Sequence, residues 1–218
     1  MTYRSPLERR HSRLKRLRTA GLVTLVCVLA LWLDRPVYLL TRGDEEGLEG
    51  NDWYQMFRAV GFLPTWLLAG GAIALVEWRE RLARPTGLLI MGSATATGLL
   101  AELLKIVLGR HRPDEHGHLD WNPLLGAVYD PDKYGSSLGL PSSHAAVAFG
   151  GAMAVAMLYP GARLVALAAA AGCALTRLLA GAHALSDLLL AGLIAWGVAA
   201  LFTRHHRPRD GRPWVRFG

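Results

Sequence analysis

The sequence predicts an all-α protein built as a bundle of six transmembrane helices, and three observations carry that prediction. Hydrophobic residues make up 52% of the 218 residues against 19% charged, too apolar for an ordinary soluble domain. Six apolar runs approach the length that crosses a bilayer: Thr19 to Leu33, Ala59 to Val76, Thr86 to Leu108, Ala145 to Tyr159, Leu164 to Ala180 and Ala184 to Thr203. Sixteen of the 24 Lys and Arg residues fall in segments that a six-span chain puts on one side: seven in 1–18, three in 78–85, one at Arg163 and five in 204–218.

That distribution is the positive-inside pattern of an inner or plasma membrane protein, with both termini cytoplasmic. The two long connections on the other side, 34–58 and 109–144, carry eleven acidic residues and face outward. The chain therefore divides into a basic cytoplasmic arm (1–18), a six-span membrane domain (19–203) and a basic cytoplasmic tail (204–218). A pI near 9.9 raises nucleic acid as a partner, but basic residues confined to short membrane-flanking segments orient the chain instead, so no nucleic-acid partner is expected.

Taken in order, the first run exits at Asp34-Arg35-Pro36, as a retained helix does, and no small-residue cleavage site follows it. The loop beyond has an acidic run (Asp44, Glu45, Glu46, Glu49) and the pair Trp53-Tyr54, which reads as a headgroup-level anchor on an interfacial helix. The second span passes through Trp78-Arg79-Glu80-Arg81 into the third, whose outer end runs from Glu102 to Pro113. A helix continuing to Pro113 places Lys105 and Arg112, seven apart, on nearly one face. Two converging cations make an anion site. The plain alternative is snorkelling, which suits Arg110 and Arg112 at the rim better than the deeper Lys105. Glu102, three residues before Lys105, neutralises it.

The outer loop Asp114 to Leu140, with Trp121, Tyr129, Asp130, Asp132 and Tyr134, is long enough to cover a site or admit a substrate. His116 and His118 invite a metal, but the spacing supplies no third ligand, so no metal is assigned. Cys27 and Cys173 both fall within spans and read as packing residues. The small residues of the last three spans, such as Gly150-Gly151 and Ala168 to Ala171, allow close helix approach.

Pro141-Ser142-Ser143-His144 opens the fourth span. Pro and Ser there signal a helix N-terminus, whose free N–H groups and dipole suit a phosphate. His144 is at this point either a cap or a general acid. Between the fifth and sixth spans, Arg177, His183 and Asp187 interrupt an apolar run, where a charge at the bilayer centre costs at least ~2.5 kcal/mol. His183 and Asp187 are four apart, so on one helical face the carboxylate holds one ring nitrogen and frees the other to attack. The plain alternative is an Arg177–Asp187 structural ion pair beside a core histidine. An outward exit for the third span puts the Lys105, Ser142, Arg177 and His183 regions at the same leaflet, in one site at the outer membrane-water interface.

These residues resemble the type 2 phosphatidic-acid phosphatase superfamily, whose signature has three parts. Lys, six residues, Arg-Pro stands here as Lys105 to Arg112-Pro113. Pro-Ser-Gly-His stands as Pro141-Ser142-Ser143-His144, with Ser143 for glycine. Ser-Arg, five residues, His, three residues, Asp stands as Thr176-Arg177, His183 and Asp187, with threonine for serine. The resemblance covers about residues 20 to 203. It implies that His183 attacks phosphorus and forms a phosphohistidine, with Asp187 fixing its tautomer. It implies that Lys105, Arg112 and Arg177, with backbone N–H groups near Ser142 and Ser143, bind the phosphate, and that His144 protonates the leaving oxygen and then activates water. No metal or other cofactor is implied. The implied partners are the bilayer and a membrane lipid with a phosphate or diphosphate head: phosphatidate, phosphatidylglycerol phosphate, polyprenyl diphosphate or a lipid A phosphate.

Three other readings stay in view. A membrane phosphotransferase, moving phosphate from a lipid donor to a lipid or sugar acceptor, uses the same residues. A transporter or channel predicts charges spread through the membrane, whereas here they cluster at one face. Soluble acid phosphatases and vanadium haloperoxidases share the motifs but lack the hydrophobic spans.

Overall fold

The computed structural model describes residues 6–43, 45–81, 85–124 and 138–206. The described residues are helical, with no strand beyond two isolated bridges, Arg110 with Trp121 and His111 with Leu138. Tyr129, Asp130, Asp132 and Tyr134 of the outer loop, Arg84, and the tail from Arg207 onward lie outside the described residues.

Helix α1 (Pro6–Thr41) runs through Pro36, two turns past the exit expected at Asp34-Arg35-Pro36. A proline removes one backbone donor and normally ends or kinks a helix; here the turns beyond it carry Thr41, whose hydroxyl donates to the Val37 carbonyl at 2.8 Å, and Tyr38, which is buried. Two short helices follow, α2 (Glu45–Glu49) and α3 (Asp52–Ala59). As expected for an interfacial helix, α3 is two-faced: Trp53 is exposed and Tyr54 is buried against Ala180 and Ala182. It meets α4 (Leu63–Arg79) at a bend of 64°.

Helix α5 (Thr86–Leu108) starts under a buried carboxylate: Glu77, near the end of α4, accepts from the Thr86 and Gly87 N–H groups at 3.0 and 3.1 Å. This satisfies donors that a helix start leaves open. The last three long helices are α6 (Ser143–Leu158), α7 (Arg163–Leu179) and α8 (Leu185–Thr203), with a 3-10 turn, Pro160–Ala162, between α6 and α7. Helix α6 is the hub, packed against α5, α7 and α8, while α1 lies along α8.

Small residues make that packing possible. A Cβ on Gly150 would sit 2.7 Å from Thr97 Oγ1, and one on Gly151 would sit 2.2 Å from the Trp66 ring. Of Ala168 to Ala171, only Ala170 is fully buried, so that run is a lipid-facing surface as much as a contact.

The chain is a multi-pass membrane protein. Four segments are long and apolar enough to cross: Leu17–Thr41, Thr86–Leu108, Pro160–Leu179 and Leu185–Thr203; the bent pair α3 and α4 makes a fifth if taken as one span. The sixth expected span is α6, apolar but only 16 residues long. Leu22, Leu25, Val28 and Trp32 are exposed on α1, as a lipid-facing helix requires.

Candidate active site

Four helix ends meet at one place. Ser142, the N-cap of α6, accepts from Ala145 N at 3.5 Å through its side chain, and its own N–H donates to the Asp187 carbonyl in α8 at 3.3 Å. That N–H is therefore engaged within the protein, as is Ala145 N, and the first-turn donors left for an anion are those of Ser143 and His144. The Ser143 hydroxyl donates to Glu102 of α5, and Glu102 is 3.1 Å from Lys105 Nζ, the neutralising pair expected from their spacing.

His183 and Asp187 meet, but not on a helix face. Gly181, at φ +64°, turns the chain out of α7, and His183 precedes α8, with Asp187 in the first turn of that helix. Asp187 folds back to accept from Ala184 N at 2.9 Å and stands 3.2 Å from His183 Nδ1, both through Oδ2. A carboxylate acceptor places the proton on Nδ1 and leaves Nε2 with its lone pair. Burial pushes the His183 imidazole below its ordinary value, although Asp187 pulls the other way.

The other charged groups surround this pair. Arg177 is buried at the end of α7. Arg177 and Arg112 both act electrostatically on His183, and Arg177, His183, Arg58 and Lys105 act on His144. The ring of His144 packs edge-on to Phe62 at 5.3 Å, and its Nε2 is buried with no hydrogen-bond partner among the described residues.

Two expectations for the first motif are corrected. Helix α5 ends at Leu108, not near Pro113, because Gly109 adopts φ +61°, and a Cβ there would sit 2.0 Å from the Asn122 carbonyl oxygen. Arg112 therefore reaches the site from the extended segment after α5, not from a helix face shared with Lys105. Nor does Arg110 snorkel: it is 0% exposed, with Nη2 2.6 Å from Asp187 Oδ1 and 2.7 Å from Ser186 Oγ, and Nη1 3.1 Å from Asp34 Oδ2. The partner of Asp187 in a buried ion pair is thus Arg110, not the Arg177 of the plain alternative reading.

Sequence reasoning also missed Asp34, whose Oδ1 accepts from Ser186 N at 2.7 Å and whose Oδ2 accepts from Ser186 Oγ at 2.5 Å. It missed Arg58, which pairs with Glu49 at 2.5 Å beside Phe62. The His116-Gly117-His118 turn has its own chemistry: its N–H groups bond Asp114 Oδ1 at 2.8 and 2.7 Å, and the His118 N–H first among several causes holds the Asp114 carboxyl below its usual range. Arg35 of α1 and Arg42, just beyond its end, donate to the His116 and Glu115 carbonyls, so this turn is fastened to the end of α1.

A model of the PAP2 superfamily matches residues 86–210, more than half of the 218. The chain belongs to that superfamily. The matched stretch holds all eight residues expected to act in catalysis or phosphate binding, and leaves Asp34 and Arg58 outside it. Among curated proteins, the PAP2 chain is 33% identical over 121 residues to a lipid A 1-phosphatase of Rhizobium etli, covering 54% of this chain and 48% of that protein. It is 35% identical over 105 residues to a lipid A 1-phosphatase of Rhizobium johnstonii, covering 46% of this chain and 40% of that one. The chain thus spans about half the length of these relatives or less. No solved structure matches it.

Proposed function

We propose that this chain is an integral membrane lipid phosphatase that hydrolyses a phosphate monoester or diphosphate head group through a phosphohistidine. The observation that carries the reading is the His183–Asp187 contact at 3.2 Å, within electrostatic range of Arg112 and Arg177. His183 Nε2 attacks phosphorus, forming the N–P bond as the bond to the lipid oxygen breaks. Protonated His144 gives its proton to that oxygen. Neutral His144 then takes a proton from water as the water attacks phosphorus, the N–P bond breaks, and His183 recovers its lone pair. Lys105, Arg112, Arg177 and the first-turn N–H groups of α6 stabilise the equatorial oxygens. His144 Nε2, buried without a protein partner among the described residues, suits a group that exchanges protons with substrate. No cofactor enters these steps.

The site is placed at the outward face, following the basic segments that alternate with the motif-bearing helix ends. Because the Rhizobium proteins act on lipid A, a lipid A 1-phosphate is the first substrate to test, beside phosphatidate, phosphatidylglycerol phosphate and a polyprenyl diphosphate. Purified protein is expected to release inorganic phosphate from at least one of them. Release from none, by folded protein, rejects the proposal; phosphate recovered on a lipid or sugar acceptor replaces hydrolysis with phosphotransfer.

A further inference from the structure

Arg110 is the largest fully buried side chain among the described residues, and it belongs to none of the phosphate-binding positions. It falls in the spacer of the first motif, between Lys105 and Arg112, while Asp34 lies on α1, before the stretch that the superfamily match covers. The two meet in a closed cluster. Asp34, Arg110, Asp187 and His183 are 1%, 0%, 0% and 2% exposed, and Ser186 sits between them. The Trp121 ring, 5.4 Å from the Arg110 guanidinium carbon, covers it from the loop side.

Asp34 faces three donors, Ser186 N, Ser186 Oγ and Arg110 Nη1. Asp187 takes Arg110 on Oδ1 and His183 on Oδ2. When Asp34 and Asp187 are both ionised, two carboxylates face one guanidinium inside the cluster, and an uncompensated charge in a dry interior is costly. The remaining group in contact is His183. Its ring becomes cationic when Nε2 takes phosphorus, so the cluster is neutral in the phosphorylated state and not before it.

We propose that Asp34 and Arg110 are positioning residues for the nucleophile. Arg110 holds Asp187 by Oδ1, so that Oδ2 stays on His183 Nδ1. Asp34 anchors Arg110 and supplies the negative charge that the phosphorylated ring requires. This rests on reading His183 as the nucleophile.

The test compares the full-length protein in detergent with Asp34→Asn, Arg110→Gln, Arg110→Lys and His183→Ala, using p-nitrophenyl phosphate and phosphatidate. Asp34→Asn is expected to lower kcat about 10- to 100-fold, the usual cost of removing a group that orients a working histidine, with KM within about twofold. A neutral Asn removes a negative charge near His183, so the acid limb of the pH-rate profile moves to lower pH. Arg110→Gln removes a positive charge, so the limb moves to higher pH. Arg110→Lys keeps the charge and the limb. The other charged groups facing His183, which are Arg112, Arg177 and His144, are untouched by these changes.

Opposite shifts are a signature that loosened packing does not produce. If Arg110→Gln does not fold, Asp34→Asn and Arg110→Lys still decide. Wild-type kcat and limb in Asp34→Asn, or limbs shifted in the same direction by Asp34→Asn and Arg110→Gln, overturn the proposal. A phosphoenzyme retained in His183→Ala overturns the nucleophile reading itself, whatever the cluster variants do.

Discussion

Asp187 divides its two oxygens, with Oδ2 3.2 Å from His183 Nδ1 and Oδ1 2.6 Å from Arg110 Nη2. Replacing the carboxylate by an amide presents an N–H to one of these donors and disturbs the ring tautomer. Asp187→Asn is expected to cost on the order of 10³- to 10⁴-fold in kcat, by analogy with the triad aspartate of serine proteases. Near-wild-type turnover by the folded variant would show that the contact is structural.

The two histidines are expected to fail differently. His144→Ala should show a burst of nitrophenol with p-nitrophenyl phosphate, whose leaving group needs no proton, and should accumulate an acid-labile phosphoenzyme. On phosphatidate the same change should cost ~100-fold or more. His183→Ala should show neither burst nor phosphoenzyme. A phosphoenzyme in His183→Ala and none in His144→Ala would exchange the roles.

Burial holds His183 below the ordinary histidine value of about 6.5, which favours the neutral ring that the proposed attack requires. Activity is lost as pH falls and the ring takes up a proton. The acid limb of kcat/KM is therefore expected below pH ~6.5. The linkage to stability has the same sign: below that pH the unfolded chain binds a proton that the folded site resists, so this group destabilises the fold as pH falls. A limb above pH ~7 would contradict the assignment.

Vanadate, as a five-coordinate mimic of the transition state, is expected to inhibit, and EDTA is expected to leave the rate unchanged. Activity lost on chelation and restored by zinc or magnesium would bring His116, His118 and Asp114 forward as ligands.

Orientation is open to direct labelling. Asp120 and Arg79 are both exposed and lie on opposite sides of α5 in the chain. In spheroplasts, Asp120→Cys is expected to react with an impermeant maleimide and Arg79→Cys to react only after lysis. The reverse pattern would place the site in the cytoplasm.

What was legible in the sequence follows the range of the forces involved. Long apolar runs report helices directly: each expected run falls on a helix, and among the described residues four of these, or five with the bent pair α3 and α4, are long and apolar enough to cross. Motif spacing also puts His144, His183 and Asp187 near helix ends, where the structure has them, because short connections keep those groups there. Two local inferences failed for local reasons. Gly109 is itself a helix stop, yet Pro113 was read as the exit. The four-residue spacing of His183 and Asp187 was read as a helix face, when it is a carboxylate folding back over a helix start. Arg110 and Asp34 carried no local sign of their partnership, because charge at a span end reads as snorkelling until its partner 76 residues away is seen.

Asp34 lies on α1 and Ser186 on α8, 152 residues apart along the chain. The bonds between them join segments that are synthesised far apart in time. Until α8 is inserted, Asp34 and Arg110 lack the groups that complete their cluster, and His183 lacks its carboxylate. A chain stalled before α8 therefore leaves Arg110 and Asp34 without the partners that bury them, a state that differs from the finished protein in exposed polar groups.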